Sequence, residues 1–254
     1  MDEGIRSSEP RLTVIIPCYN EREGIGPTIA DLHRALGEVG EYELIAVDDG
    51  STDGSREVLH AMAREDRRLR VIEHRSNRGY GAAVKTGLRH ARSQRVATID
   101  ADGTYPADAL PQLLRAGAEA DMVVGAREFD GVREPFLRTL ARSMLRRYAS
   151  FLVGRAIPDV NSGLRVFRRA AILPLLRILP DGFSFCTTST LAMLTNGCEV
   201  AYVSIRYKPR LGRSKIRPVR DALRFFYLAT RTAIAGRRAT WAMEASCRRP
   251  ARPL

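Results

Sequence analysis

Short apolar runs alternate with stretches of helical spacing through the first half of this chain, and that alternation sets the fold class. Residues 12–17, 44–47, 69–72, 96–99 and 122–125 are four to six residues long and mostly apolar. Between them, residues 25–39, 81–91 and 108–116 carry helical spacing. So does a segment that opens at Ser51 or Asp53 as N-cap and runs to Ala63. Continuous apolar runs bounded by polar clusters read as strands covered on both faces. Alternation with helices predicts an α/β fold, a mostly parallel Rossmann-like sheet with helices on both faces. In such sheets ligands bind beyond the carboxyl ends of the strands. The polar clusters after each strand are therefore the candidate site.

The second half is less regular. A helix is expected over 135–154, with Arg138, Arg142 and Arg146 four residues apart on one face. Strands are expected over 164–167 and 199–207 and a helix over 188–196. A second amphipathic helix is expected over 219–235, and these two amphipathic helices could pack on the sheet or lie on a membrane surface. Residues 1–10 read as a flexible start. After Gly236 the chain turns basic and proline-rich, so 237–254 reads as a disordered tail.

Charge and cysteine content narrow the function. A net charge of +12 calls for an anionic partner such as phosphorylated substrate or lipid head groups. No RNA-reading motif or DNA-reading helix accompanies the arginines, so nucleic acid is not expected. Cys18, Cys186, Cys198 and Cys247 are widely spaced, which argues against a disulfide framework or a zinc site and for a reducing, cytoplasmic setting. Residues 1–10 show no signal-peptide pattern, and no stretch reaches the roughly 18 apolar residues of a membrane span.

Three clusters carry the chemistry. Pro17-Cys18-Tyr19-Asn20-Glu21 follows the first run, Asp48-Asp49-Gly50-Ser51-Thr52-Asp53 the second, and Asp100-Ala101-Asp102 the fourth. Two carboxylates two residues apart at a strand end can hold Mg²⁺ or Mn²⁺ against a diphosphate. The carboxylates and hydroxyl of Asp48, Asp49 and Ser51 can accept or exchange hydrogen bonds with a base and a ribose. Asn77-Arg78-Gly79-Tyr80-Gly81 would let backbone approach a ligand closely.

This ordered set resembles the family 2 inverting glycosyltransferases, from Leu12 to about Ala235. Within them it is most similar to the dolichyl- or polyprenyl-phosphate sugar transferases. That narrower likeness rests on Gly125-Ala126-Arg127, the segment Asp159 to Arg165, and the basic segment Arg206 to Lys215. The resemblance implies a GT-A fold over 11–236, with a nucleotide-sugar-binding half (11–130) and an acceptor-binding half (131–236).

It also implies residue roles. Pro17, Tyr19, Glu21, Asp48, Asp49, Gly50, Ser51, Asp100 and Ala101 would bind the nucleotide sugar. Asp102 would ligate the metal, with Asp100 and Thr104 around it; relatives often carry Gln where this chain has Thr104. Arg127, Arg138 or Arg142, Ser162 and Arg165 would hold the acceptor phosphate. Arg127, Arg206 and Lys215 join Asp102 in the catalytic set, Arg206 and Lys215 neutralising the leaving diphosphate. The implied partners are a GDP-mannose- or UDP-glucose-type donor, a polyprenyl phosphate, a membrane surface on its cytoplasmic face and a separate anchoring protein. A saccharide or small-molecule hydroxyl is the alternative acceptor and would need a general base, for which Asp159 is the candidate. A non-catalytic polyanion-binding module is the remote alternative.

Overall fold

The computed structural model describes residues 10–128, 136–207 and 226–234. One seven-stranded sheet crosses them. Its strands are β1 (Leu12–Cys18), β2 (Tyr42–Asp48), β3 (Leu69–Glu73), β4 (Arg95–Thr98), β5 (Met122–Glu128), β6 (Arg165–Arg168) and β7 (Val200–Arg206). Their spatial order is β3-β2-β1-β4-β6-β5-β7. β6 alone runs antiparallel, pairing Thr98 with Arg165 on one side and Val124 with Arg165 on the other. The sheet is therefore mostly parallel, as the alternating pattern requires.

Both faces are covered, which explains the mostly apolar runs. Leu12, Val14 and Ile16 point to one side, under α1 (Arg22–Leu36), α2 (Ser55–Glu65) and α4 (Leu110–Ala116). Ile15, Ile45 and Val47 point to the other, against α3 (Tyr80–His90), α6 (Arg169–Ile172) and α7 (Phe185–Thr195). Each of these strand side chains is fully buried, worth about 1.5–3 kcal/mol apiece relative to exposure. Cys18, Cys186 and Cys198 are free and buried.

α5 (Phe136–Val153) packs on the stretch of helix over 226–234. Tyr148 meets Phe226 edge to face at 4.9 Å and bonds Thr230 Oγ1 at 2.6 Å. Ala149, Ala229 and Leu191 of α7 are buried in the same small core. The packed arrangement thus holds for part of each helix, while Leu140, Met144, Phe151, Tyr227 and Ile234 stay exposed. The expectations for residues 1–9, 129–135, 208–225 and 235–254, Lys215 and the tail included, lie outside the described residues.

The strand order places the site. From β1 the chain winds outward through β2 to β3, then returns to the opposite side of β1 as β4. The loops after β1 and β4 diverge at this reversal and leave a crevice at the carboxyl edge.

Candidate active site

A cavity of about 350 Å³ opens in that crevice. Pro17, Tyr19 and Glu21 line it from the loop after β1, Asp49 from the end of β2, and Asn77, Gly79, Tyr80 and Ala83 from the entry to α3. Asp100, Ala101 and Asp102 come from the loop after β4, and Phe183 from the segment before α7. A volume of this size suits a small-molecule ligand.

The loops after β1 and β2 are bound to each other. Asn20 N–H donates to Ser51 Oγ at 3.0 Å, Thr52 N–H to Asn20 Oδ1 at 2.8 Å, and Glu21 N–H to Ser55 Oγ at 2.9 Å. Asp53 accepts from the backbone of both Ser55 and Arg22, joining the starts of α2 and α1. Gly50 takes a φ of 76° where any side chain would strike the Ser76 and Asn77 backbone, at 2.7 Å from the nearer atom. Ser51 and Gly50 therefore hold the loops and do not line the cavity.

The paired aspartates of that cluster divide their work. Asp48 is fully buried and accepts from Ser51 N–H at 3.1 Å and Arg56 Nε at 2.9 Å. Its carboxylate braces the turn, and it is not among the residues that line the cavity. Asp49 does line the cavity. It accepts from Arg78 N–H at 2.9 Å and Gly79 N–H at 2.7 Å and is bonded to His74 Nδ1 at 2.6 Å. His74, which the sequence did not single out, continues to Thr86 Oγ1 at 2.9 Å. One carboxylate thus fixes the loop opening α3 against the end of β2.

Asp100 and Asp102 sit side by side on the cavity wall. Asp102 Oδ1 accepts from Thr104 N–H at 3.1 Å and Thr104 Oγ1 at 2.7 Å. Thr104 is buried, so its hydroxyl orients Asp102 rather than reaching the cavity as a ligand of its own. α1 closes the other side: Thr28 Oγ1 donates to Ala101 O at 3.1 Å. From below comes the loop before β6. A side chain at Gly163 would lie 2.6 Å from Asp100 Oδ1, so this glycine lets the loop reach the carboxylate. Gly163 N–H donates to Tyr105 Oη at 2.7 Å, and Thr98 Oγ1 donates to Gly163 O at 2.7 Å.

Beside this loop Arg127 closes on Asp159. Nε meets Oδ2 at 2.7 Å and Nη2 meets Oδ1 at 3.0 Å. Burial alone would raise the Asp159 carboxyl, but the hydrogen bonds and charge of Arg127, with the Asn161 N–H, hold it below the ordinary carboxylate value. The Arg127 guanidinium also covers Tyr207 at 5.3 Å from the ring centre, and Tyr207 packs on Tyr105 at 5.1 Å. The end of β7, with Arg206 exposed, is thereby drawn to the loop before β6.

The remaining acceptor residues separate. Arg165 is fully buried, and its guanidinium donates to Ser162 O at 2.7 Å, Val160 O at 3.1 Å and Thr190 Oγ1 at 2.8 Å. It braces the 160–163 loop onto α7 from inside and does not line the cavity. Ser162 Oγ is buried with no hydrogen-bond partner among the described residues. Arg142 is partly exposed on α5 and does not line the cavity. Arg138 lies on α5, but its side chain is outside the described residues.

The donor set fits a hard divalent cation. Asp100 and Asp102 offer carboxylate oxygens only, and among the described residues no group of three or more His, Cys, Asp or Glu forms a closed cage. Two carboxylates with ligand phosphates completing the shell is the usual way Mg²⁺ is held.

Known proteins share this architecture and sequence. The model of Glycosyl transferase family 2 matches residues 13–175. Polyprenol monophosphomannose synthase of Mycolicibacterium smegmatis is 35% identical over 218 residues, covering 81% of this chain and 81% of that protein. Undecaprenyl-phosphate mannosyltransferase of Micrococcus luteus is 30% identical over 215 residues, covering 81% of this chain and 87% of that one. Among solved structures, glucosyl-3-phosphoglycerate synthase from Mycobacterium tuberculosis, in complex with Mn²⁺, UDP and phosphoglyceric acid, superposes with a TM-score of 0.66 at 19% identity, covering 89% of this chain and 78% of that one. The mannosyltransferase PcManGT from Pyrobaculum calidifontis, in complex with GDP-Man and Mn²⁺, gives 0.58 at 20% identity, covering 93% and 76%. These neighbours identify the fold as GT-A.

Proposed function

The chain belongs to glycosyl transferase family 2, and from that premise we propose that it moves a hexosyl group from a nucleoside-diphosphate sugar to a polyprenyl phosphate, with inversion at the anomeric carbon. The donor is of the GDP-mannose or UDP-glucose type. Pro17, Tyr19 and Asp49 take the nucleoside end of the cavity, and Asp100 and Asp102 the diphosphate end. Asp102, with Asp100 beside it, would hold Mg²⁺ or Mn²⁺, which supplies charge neutralisation for the diphosphate.

The observation that carries the choice of acceptor is the Arg127–Asp159 pair. Transfer to a hydroxyl needs a base that removes its proton. Asp159 is the acidic group of the acceptor-side loop, and Arg127 holds it ionised and doubly hydrogen-bonded, which makes it a weak base near neutral pH. A phosphate monoester needs no such base, since its second pKa is about 6 and it is already anionic. It needs positioning and opposite charge. Arg127, the α5 arginines Arg138 and Arg142, and the unpartnered hydroxyl of Ser162 are the proposed source of both. An orphaned buried hydroxyl costs free energy that a ligand oxygen would recover. Arg206 and Lys215 of the basic segment then neutralise the departing nucleoside diphosphate.

A polyprenyl acceptor also sets the place of action. Among the described residues no helix is long and apolar enough to cross a membrane. The exposed apolar side chains of α5 and 226–234 would rest on the bilayer surface at its cytoplasmic face, alone or beside an anchoring protein.

Purified protein with Mn²⁺ or Mg²⁺, a short polyprenyl phosphate and labelled GDP-mannose or UDP-glucose should place label in the organic phase with one donor, and chelator should remove it. The anomeric configuration of the product should be opposite to that of the donor. Release of nucleoside diphosphate only in the presence of a saccharide acceptor, with no labelled lipid, would sink the proposal.

A further inference from the structure

The segment before α7 is held to α3 by a buried lysine and a backbone hydrogen bond. Lys85 of α3 is only 8% exposed, yet its ammonium is directed at this segment, donating to Leu179 O and to Asp181 Oδ1, the latter at 2.7 Å. Ala82 N–H donates to Asp181 O at 3.0 Å. Side chains at Gly79 and Gly81 would stand 2.6 Å from Asp181 O and 2.3 Å from Pro180 O, so their absence admits the segment. Burying a lysine costs desolvation, and it is tolerated where the charge is paired and hydrogen-bonded.

What this clamp presents is Phe183. Its side chain is 58% exposed, and it stacks on Tyr80 with ring centres 6.2 Å apart and planes 16° from parallel. Both rings line the cavity. In the reading above, the nucleoside end is the one that Asp49 marks, where it holds Arg78 and Gly79. Tyr80 lines the same cavity as Asp100 and Asp102, and its hydroxyl accepts from the Cys186 thiol at 3.7 Å. The aromatic pair therefore shares its cavity with Asp100 and Asp102. An aromatic face next to carboxylates matches a pyranose ring, which has an apolar C–H face and a hydroxylated edge.

We propose that Phe183 is a specificity-determining residue, the platform on which the hexosyl ring of the donor lies, and that Lys85 is the positioning residue that sets its height through Asp181. The inference rests on the nucleotide-sugar reading above and goes beyond it by dividing the cavity into a nucleotide part and a sugar part. Phe183 touches the hexose; Lys85 acts only through the segment it holds.

Calorimetric titration in Mn²⁺ of GDP-mannose, UDP-glucose, GDP and UDP into the wild type and into Phe183→Leu, Phe183→Tyr and Lys85→Met tests it. Phe183→Leu should weaken the preferred nucleotide sugar about fivefold to tenfold. The matching nucleoside diphosphate should stay within about twofold. Phe183→Tyr should restore wild-type affinity, and Lys85→Met should shift the ratio of sugar to diphosphate affinity in the same direction as Phe183→Leu. Equal loss for both ligands, or no loss for either, would overturn the platform while leaving the donor assignment standing. A wild type that binds nucleoside diphosphates but neither nucleotide sugar would overturn the donor assignment itself, and the platform with it.

Discussion

Arg127 and Asp159 form a two-pronged ion pair at 2.7 and 3.0 Å, with side chains 12% and 7% exposed, between the end of β5 and the loop before β6. Removing one member of such a pair strands the other's charge. Asp159→Ala should therefore cost about 3–5 kcal/mol, read from the denaturant midpoint. The pH dependence has a definite sign. The Asp159 carboxyl is held below its ordinary value, so its contribution is present above the unfolded carboxylate range and fades as pH falls through the lowered folded value. Asp159→Ala should consequently flatten the acid limb of the stability curve and leave its alkaline limb in place. An unchanged midpoint, or loss confined to alkaline pH, would count against the pair.

Asp102 and Thr104 offer a cleaner test of the charge in the cavity. Asp102→Asn keeps an oxygen to accept the two Thr104 bonds but removes the negative charge. Stability should stay within about 0.5 kcal/mol, while transfer falls by about a hundredfold or more. Turnover near wild type in saturating Mn²⁺ would remove Asp102 from the metal.

Thr104→Val leaves the carboxylate in place but loses the hydroxyl that orients it at 2.7 Å. Partners of this outer kind commonly tune metal affinity by about 10–100-fold. The Mn²⁺ concentration for half-maximal activity should rise by about tenfold, with the maximal rate largely recovered at high metal. A fall in maximal rate that metal cannot restore would make Thr104 a direct ligand after all.

For Arg165 the expected defect is in folding, not in acceptor affinity. Its guanidinium satisfies Ser162 O and Val160 O in the interior, and Arg165→Met leaves both without that donor. We expect a loss of about 3 kcal/mol or more, with the KM for polyprenyl phosphate unchanged in whatever folds. A raised acceptor KM at wild-type stability would return Arg165 to the phosphate site.

These cases show which parts of the molecule a sequence makes legible. Strands covered on both faces announce themselves, because burial on each side leaves few polar residues to break the run, as in Leu12 to Pro17. There Thr13 is the one polar residue, and its hydroxyl is satisfied inside by Glu43 and Ser93. The clusters after β1 and β4 were legible because topology delivers them to the same crevice. Adjacent residues of like chemistry were not separable. Asp48 and Asp49 are both aspartates in one turn, yet strand pleating sends one inward to Arg56 and the other to the cavity wall. Arg165 follows a polar loop, where an arginine reads as exposed, and only the antiparallel return of β6 carries it inside.

α7 begins at Phe185, three residues before its expected start, since Thr188, Ser189 and Thr190 mask helical spacing with hydroxyls that bond back to the preceding turn. Phe183 and Lys85 went unread for the same reason that His74 did. Each acts on a segment remote in sequence. The nearest signal was the Pro180-Asp181-Gly182 turn, which sets an aromatic residue at the start of a helix.

The stripe on α5 supplies the membrane test. At 100° per residue, Leu140, Met144, Arg147 and Phe151 fall within one narrow arc, next to the arc of Leu145, Tyr148, Ala149 and Leu152 that packs on the neighbouring helices. Phe151 is 80% exposed and Met144 55%, so burial in the protein core does not account for this second arc. Inserting a phenylalanine into the acyl boundary is worth about 1.5–3 kcal/mol, and a cation near an anionic surface about 1 kcal/mol. Phe151→Glu should therefore reduce co-sedimentation with anionic vesicles by at least about tenfold. Turnover of a short, water-soluble polyprenyl phosphate should be retained, because Phe151 is absent from the cavity wall. Arg147→Glu should weaken vesicle binding as well, and more at low salt than at high, since charge attraction is screened and apolar insertion is not. Vesicle binding unaffected by both substitutions would move the membrane contact off this face of α5.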